Sequence, residues 1–246
     1  MAKKNNQKKS PKSKSKIKIF LIKALHIAKK VLLFFLISSV FFTILYRFVP
    51  PPITPLMVIR FVENSFDDQR EAKIKKDWVS IDKISPNLIK AAIAGEDANF
   101  MTHFGFDIKA MQKAFSSNQK GKKIKGGSTI TQQTAKNVFL STSRSYIRKA
   151  FEAYFTLLIE LTWSKERIME VYLNIIEMGD GIYGCEEAAQ TYFNKSAKNL
   201  TKAESAFIIA CLPNPRKWNP AKPSSLIVKK QQLILRRMSN TKQPKF

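Results

Sequence analysis

Gly95-Glu96-Asp97-Ala98-Asn99-Phe100-Met101-Thr102-His103-Phe104-Gly105-Phe106-Asp107 and, further on, Gly126-Gly127-Ser128-Thr129-Ile130-Thr131-Gln132-Gln133-Thr134-Ala135-Lys136-Asn137 are two polar blocks in a sequence that otherwise reads as helices. A surface loop does not need adjacent carboxylates, a histidine and three phenylalanines. A structural helix gains nothing from a run of Ser, Thr and Gln, most of which are mediocre helix formers. Local rules broken twice in this way mark a site.

Around the blocks the pattern is helical. Ser85-Pro86 supplies an N-cap followed by proline at the first helical position, predicting a helix through Leu88, Ala92 and Ile93 to Glu96. Asp107 to about Phe115 reads as the next helix. The basic stretch Lys120 to Gly127 reads as a mobile loop, and Thr129 with Gln132 has capping-box spacing for the helix after it. From Arg144 to Leu161, Ile147, Phe151, Tyr154, Leu158 and Leu161 recur at three- and four-residue steps and predict the buried stripe of an amphipathic helix. Ser164 caps a helix with Ile168, Val171 and Tyr172. Thr201 with Glu204 opens another that stops at Pro213, and a last helix runs near Leu226–Met238. Strand signals are few, Asp77–Ile81 being a short extended piece. The expected fold class is mostly α.

The chain has 246 residues and a formal charge of +25, unevenly spread. Residues 1–30 hold eleven lysines and no acid. Met1–Lys16 is too polar and charged to fold alone and reads as disordered. Next comes Val31–Val49, VLLFFLISSVFFTILYRFV, apolar all round with one charge, Arg47. It is long enough to cross a hydrocarbon core of roughly 30 Å, and no small-residue cleavage site follows at Pro50-Pro51-Pro52. We read it as an uncleaved transmembrane anchor, lysine-rich side in the cytoplasm. The lysines suit anionic lipid headgroups better than nucleic acid, and no nucleic-acid partner is expected. Pro50–Pro55 is a stiff exit, and the apolar residues 53–62 could pack on the bilayer surface. Cys185 and Cys211 could form one disulfide or stand as two buried thiols.

Glu96 ends an apolar helix beside Asp97, near Phe100 and Phe104. Burial and a neighbouring carboxylate both raise a glutamate pKa, which suits general-base work near neutral pH. The bland alternative is an exposed glutamate at a helix end. Asp97 reads as structural, bonding nearby backbone. His103 could be a base, a ligand or a structural donor, and no second histidine lies near it to complete a metal site. Arg148 and Glu152, four apart, are either a surface ion pair or a polar stripe facing a cleft, where Lys136 and Arg148 could hold a phosphate.

Together the two blocks resemble the first two motifs of the peptidoglycan glycosyltransferases (glycosyltransferase family 51). Arg148-Lys149-Ala150-Phe151-Glu152 resembles the third motif, and Glu170-Val171-Tyr172-Leu173-Asn174 the fourth. Gly181-Ile182-Tyr183-Gly184 through Asn194-Lys195 resembles the fifth, and Leu212-Pro213-Asn214-Pro215 with Trp218-Asn219-Pro220 the closing segment. The chain is most similar to the monofunctional biosynthetic transglycosylases. Ser117 to Lys120 matches S-x-x-K with no K-T-G partner, so penicillin binding is not expected.

The resemblance implies a lysozyme-like glycosyltransferase domain at 78–238. It would follow a basic tail (1–30), a transmembrane helix (31–49) and a membrane-proximal linker (50–77), with a C-terminal tail at 239–246. It implies lipid II and the growing glycan chain as substrates, membrane lipid and other wall-synthesis proteins as partners, and a single-pass protein of the bacterial cytoplasmic (inner) membrane with its catalytic domain outside. Glu96 would be the catalytic base and Glu152 the second essential glutamate, orienting the cations or helping to hold a divalent ion. Lys136, Arg148, Lys149, Ser128, Thr129, Gln132, Gln133 and Asn137 would bind substrate; Asp97, Phe100, His103 and Gly127 would shape the site. A metal site is not identified, and Mg2+ or Mn2+ stays open as a cofactor. Two other readings remain: a lytic glycosidase working with paired carboxylates, and a membrane-tethered basic binding module.

Overall fold

A computed structural model describes residues 11–119, 127–143 and 145–246, with the backbone alone at 11–18, 115 and 117–119. The expected basic loop at 120–126 and the helix start at Arg144 lie outside the described residues. By internal contacts the chain divides into Met1–Phe42 and Thr43–Phe246.

The first unit is most of helix α1, Pro11–Phe48. Its apolar stretch, Ile19–Phe48, is 30 residues long, roughly 45 Å at the helical rise and more than a bilayer core requires. Phe20, Leu25, Ile27, Leu33 and Phe34 are exposed, as on a helix meant for lipid and not for a protein core. The hydroxyls of Ser38 and Ser39 donate to the carbonyls of Phe35 and Leu36, so neither is left unpaired among apolar neighbours. The helix is consistent with a single-pass membrane anchor. It starts earlier than the sequence implied: the backbone is already helical from Pro11, where disorder was expected to Lys16. Lysine is a good helix former, and lengthening an existing helix avoids the cost of nucleation. Residues 1–10 lie outside the described part.

The second unit begins with the last turn of α1. Side chains from later in the chain donate to its backbone carbonyls. Trp163 Nε1 donates to Thr43 O at 2.7 Å, and Arg167 donates to Tyr46 O and Val49 O. The Tyr46 ring sits 6.0 Å from Phe139, which stacks on Phe155 at 4.4 Å. Thr54 caps α2, Pro55–Ser65, with Pro55 at its first position.

Two groups of helices follow. One comprises α3 (Pro86–Glu96), α9 (Lys202–Cys211) and α10 (Ser225–Asn240). Leu88, Ile89, Ala91, Ala92, Ile93 and Ala94 are all buried, so α3 is surrounded on nearly every side. Gly95 lets α9 come close, since a Cβ there would stand 2.6 Å from Ile209 Cγ2. The other group comprises α5 (Ile130–Phe139), α6 (Tyr146–Thr162) and α7 (Lys165–Ile175), with α4 (Ile108–Gln119) preceding it in the chain.

A small sheet orders β1 (Lys75–Lys76), β3 (Ile182–Tyr183) and β2 (Glu177–Gly179). β1 is parallel to β3, pairing Lys75 with Ile182, and β2 is antiparallel to it, pairing Glu177 with Tyr183. The strand thus lies just before the extended piece expected at Asp77–Ile81, which ends in a 3-10 turn at Ile81–Lys83. Asn174 holds that extended piece at both ends of one residue: Val79 N–H donates to Asn174 Oδ1 and Asn174 Nδ2 donates to Val79 O.

Gly184 caps α8 (Cys185–Phe193) at φ +83°, and a Cβ there would meet Asn174 O at 2.6 Å. Gly184→Ala is therefore expected to cost about 1–3 kcal/mol for the backbone conformation, with the clash in addition. A thermal melt of the variant beside wild type measures it. Cys185 and Cys211 are both buried free thiols, the second of the two readings left open by the sequence.

The expected stripe of α6 is wrong by one residue. The buried positions are Glu152, Phe155, Thr156 and Ile159, while Ile147 and Leu161 are 74% and 71% exposed. Apolar residues line more than one side of this helix, so periodicity alone did not identify the inner face. Stacking of Phe155 on Phe139 did.

Candidate active site

The end of α3 and the start of α5 form one polar assembly. Asp97, buried, caps the end of α3 and reaches the start of α5: Ile130 N–H donates to Asp97 Oδ2 at 2.9 Å. A carboxylate is favoured there because a helix N-terminus offers unpaired N–H groups and a positive dipole end. His103 Nε2 meets both Asp97 oxygens at 2.9 and 3.0 Å. Phe100 is wholly buried, edge-on to His103 and beneath the Lys165 ammonium, 4.8 Å from its ring centroid.

Sequence reasoning missed a second tie. Lys165 donates to His103 O and to Glu160 Oε1, and Thr131 donates to the same Glu160 oxygen at 2.6 Å. Glu160, Thr131 and Lys165 thus join α6, α5 and α7 to the His103 loop. Nothing in their local pattern sets them apart from ordinary helix residues.

Glu96 is turned the other way. Its Oε2 accepts from Gln133 Nε2 at 2.9 Å. Burial raises its pKa most; the Gln133 hydrogen bond, Lys230 and Lys136 pull it down, and Asp97 adds to the rise. Behind Gln133 lies Tyr172, wholly buried, with its hydroxyl 3.5 Å from Gln133 Oε1. Burial, then Glu96 and Asp97, hold this phenol well above its ordinary pKa, so it stays a neutral donor. The sequence placed Tyr172 in an apolar stripe and gave no sign of this contact.

Gln133 stands between two cavities. One, of about 140 Å³, is bordered by Glu96, Asp97, Asn99, Asp107, Gly127 and Ser128. The other, of about 390 Å³, has Gln133, Lys136, Asn137 and Arg148 on one side and Arg60, Glu177 and Leu212 among its other walls. Gly127 lies close on α4, its Cβ position 3.3 Å from Ala114 Cβ.

Glu152 is buried, and two cations converge on it. Arg148 Nη1 donates to Oε2 at 2.6 Å, and Lys149 Nζ donates to Oε1. This is the cleft stripe and not the surface ion pair, because the shared carboxylate is only 3% exposed. Lys136 makes no ion pair among the described residues. Burial lowers its pKa, with Glu152 the main opposing influence and Arg148 and Lys149 adding repulsion. Three cations against one carboxylate leave excess positive charge beside the larger cavity, an arrangement that attracts a multiply charged anion. Both Glu152 oxygens are already engaged by cations, and no three His, Cys, Asp or Glu side chains converge among the described residues. These residues do not fit a divalent ion held by Glu152.

Two expected substrate ligands are otherwise occupied. Thr129 borders the smaller cavity, but its hydroxyl donates to Gly105 O at 2.6 Å and accepts from Gln132 N–H. Gln132 is buried, borders neither cavity, and its Oε1 accepts from Thr129 N–H. The capping box closes on itself and leaves these groups to start α5. Ser128, Gln133, Lys136, Asn137 and Arg148 remain at the cavities, while Lys149 borders neither and is held by Glu152. Arg60 and Glu177 are cavity residues that the sequence did not single out.

Residues 63–239 match the family model described as Transglycosylase. The chain is 54% identical over 213 residues to the biosynthetic peptidoglycan transglycosylase of Bdellovibrio bacteriovorus, covering 87% of this chain and 84% of that protein. It is 57% identical over 191 residues to the protein of that name from Caulobacter vibrioides, covering 78% and 80%. With the one from Bacteroides thetaiotaomicron it shares 52% over 224 residues, covering 91% and 89%.

Proposed function

The chain belongs to the transglycosylase family, and from that membership we propose that it polymerises peptidoglycan glycan strands from lipid II. The observation that carries the reading is the pairing of a base-like carboxylate, Glu96, with a cation-rich cleft across the single side chain of Gln133.

Glu96 takes the proton from the 4-hydroxyl of the acceptor GlcNAc, seated in the smaller cavity. That oxygen attacks C1 of the donor MurNAc. The new β-1,4 bond forms as the α bond from C1 to the pyrophosphate oxygen breaks, and undecaprenyl pyrophosphate leaves with the electron pair. The leaving group needs charge neutralisation more than a proton, and fixed cations supply it without reorganisation. Lys136 and Arg148 neutralise the pyrophosphate, while Glu152 fixes Arg148 and Lys149 in place. Gln133 orients the Glu96 carboxylate, and Ser128 and Asn137 bind sugar or phosphate oxygens. Asp97, His103, Phe100 and Gly127 hold α3, α4 and α5 in register. The domain at 78–238 works outside the cytoplasmic membrane while α1 crosses it, N-terminus inside, so enzyme and lipid-linked substrate share one bilayer. A hydrolase with a second catalytic carboxylate is disfavoured, because Glu152 is buried under two cations.

Incubating the full-length protein with labelled lipid II tests this. Growth of a glycan ladder supports it, and cleavage of finished sacculi without polymer formation overturns it. The pH profile is a second expected outcome. The base must be ionised and Glu96 titrates above its usual 4.5, so the acid limb of kcat/KM should fall above that value. Lys136 titrates below its usual 10.5, so activity should decline on the alkaline side below that value. Measuring kcat/KM from acid to alkaline pH locates both limbs.

A further inference from the structure

We propose that a third cavity, between the end of α3 and the end of α10, is a subsite for the peptide of the acceptor substrate and grips its terminal carboxylate. The cavity measures about 600 Å³, within the usual size of a ligand pocket. Its apolar lining comes from Ile93 and Ala94 of α3 and from Ala98 and Met101 of the loop that follows. Its cations are Arg237, in the last turn of α10, and Lys242, just beyond that helix. No acid lines it.

Neither cation is engaged strongly by the fold. Arg237 Nη1 donates to Ala94 O, in the last turn of α3, at 3.5 Å, the outer limit of a hydrogen bond. Neither Arg237 nor Lys242 makes an ion pair among the described residues. A lone surface cation is an ordinary solvated group. Two that line one cavity without an acid make a place complementary to an anion. The apolar lining narrows the class of anion. A bare phosphate gains nothing from Ile93 and Met101, whereas a peptide carboxylate takes the charge-assisted hydrogen bonds and brings carbon to cover them.

Position ties the cavity to the reaction. Ala98 borders both this cavity and the smaller one beside Glu96, so the two spaces meet at one methyl side chain. The inference rests on the polymerase reading, whose substrate, lipid II, carries a pentapeptide with a free terminal carboxylate. With the acceptor hydroxyl at Glu96, the peptide passes over Ala98 and ends between Arg237 and Lys242. A contact so far from the reacting atoms is alike in ground and transition states, so it lowers KM and leaves kcat alone.

The test uses the full-length protein with lipid II and with lipid II whose terminal carboxylate is converted to a carboxamide. Arg237 and Lys242 are exposed, so their replacement leaves the fold intact. Arg237→Gln combined with Lys242→Gln is expected to raise KM for lipid II about tenfold, the worth of a hydrogen bond to a charged group, with kcat little moved. Wild type on the carboxamide should show the same raised KM, and the double variant should add nothing to it. An equal rise on both substrates marks a merely structural effect and overturns the proposal, as does no rise on either. A second readout needs no turnover. In protein with isotope-labelled methionine methyl groups, the Met101 resonance, assigned by its loss in Met101→Leu, is expected to shift on titration with soluble muramyl pentapeptide and not with its carboxamide. An unmoved resonance overturns the subsite. A shift in a protein that makes no polymer refutes the polymerase reading and leaves the carboxylate subsite standing.

Discussion

Replacing Glu96 by Gln is expected to cut the rate of glycan polymerisation by about 10²- to 10⁴-fold, the usual worth of a positioned general base, while leaving the protein folded and more stable at neutral pH. The two effects share a cause. Burial raises the Glu96 pKa, so holding its carboxylate ionised costs the native state free energy. For an acid whose folded pKa is raised, the cost is absent below the unfolded pKa of roughly 4.3 and complete above the folded one. The Gln variant escapes it. Its thermal midpoint should exceed wild type near neutrality, with the gap closing as pH falls below the carboxylate range. Gln133 keeps an acceptor, because an amide oxygen can replace Glu96 Oε2. A chain-length assay on labelled lipid II, run beside melts at two pH values, checks both. Equal polymerisation by both proteins would remove Glu96 from the base role. A variant that melts lower at neutral pH would refute the claim that ionised Glu96 is strained.

Lys136→Ala carries the other large effect, a loss of about 10²- to 10³-fold in kcat, comparable to removing one preorganised donor from a transition-state charge site. The substitution is clean. Lys136 makes no ion pair among the described residues, and Glu152 keeps Arg148 and Lys149 as partners. No buried charge is orphaned, so melting should move little. Glu152→Gln should also lower kcat by loosening the Arg148 and Lys149 side chains, and adding Arg148→Ala to it should cost less than the sum of the two single losses. Single-turnover rates with saturating lipid II separate chemistry from binding. Wild-type kcat in Lys136→Ala would show that the leaving pyrophosphate is neutralised elsewhere.

These residues differ in how visible they were. Glu96, Lys136 and Glu152 lie in short motifs that resemble a known family, and Glu152 meets Arg148 and Lys149 within four residues of itself. Gln132 lies in the same motif as Lys136 but closes the cap of α5 and borders neither cavity, a difference that residue type cannot reveal. Tyr172, Glu160 and Lys165 were invisible as site residues. Each meets its partner across tens of residues of chain, as in Tyr172 with Gln133 or Lys165 with the His103 carbonyl.

The boundary between sequence and tertiary control follows interaction range. Capping boxes at Thr129 and Thr201, serine caps at Ser85 and Ser164, and proline at the first turn of α3 act within three or four residues, so the chain specifies those helix starts locally. The long apolar run is likewise legible through composition alone as a helix long and apolar enough to cross a membrane. The inward face of α6 was not open to that reading, since both faces are apolar and only packing against α5, with Phe155 stacked on Phe139, chooses Phe155 and Ile159. The conversion of Arg148 and Glu152 from a plausible surface pair to a buried cluster followed from the same rotation. Local backbone chemistry wrote the helices; burial, which sums over the whole domain, decided which side chains face the cleft.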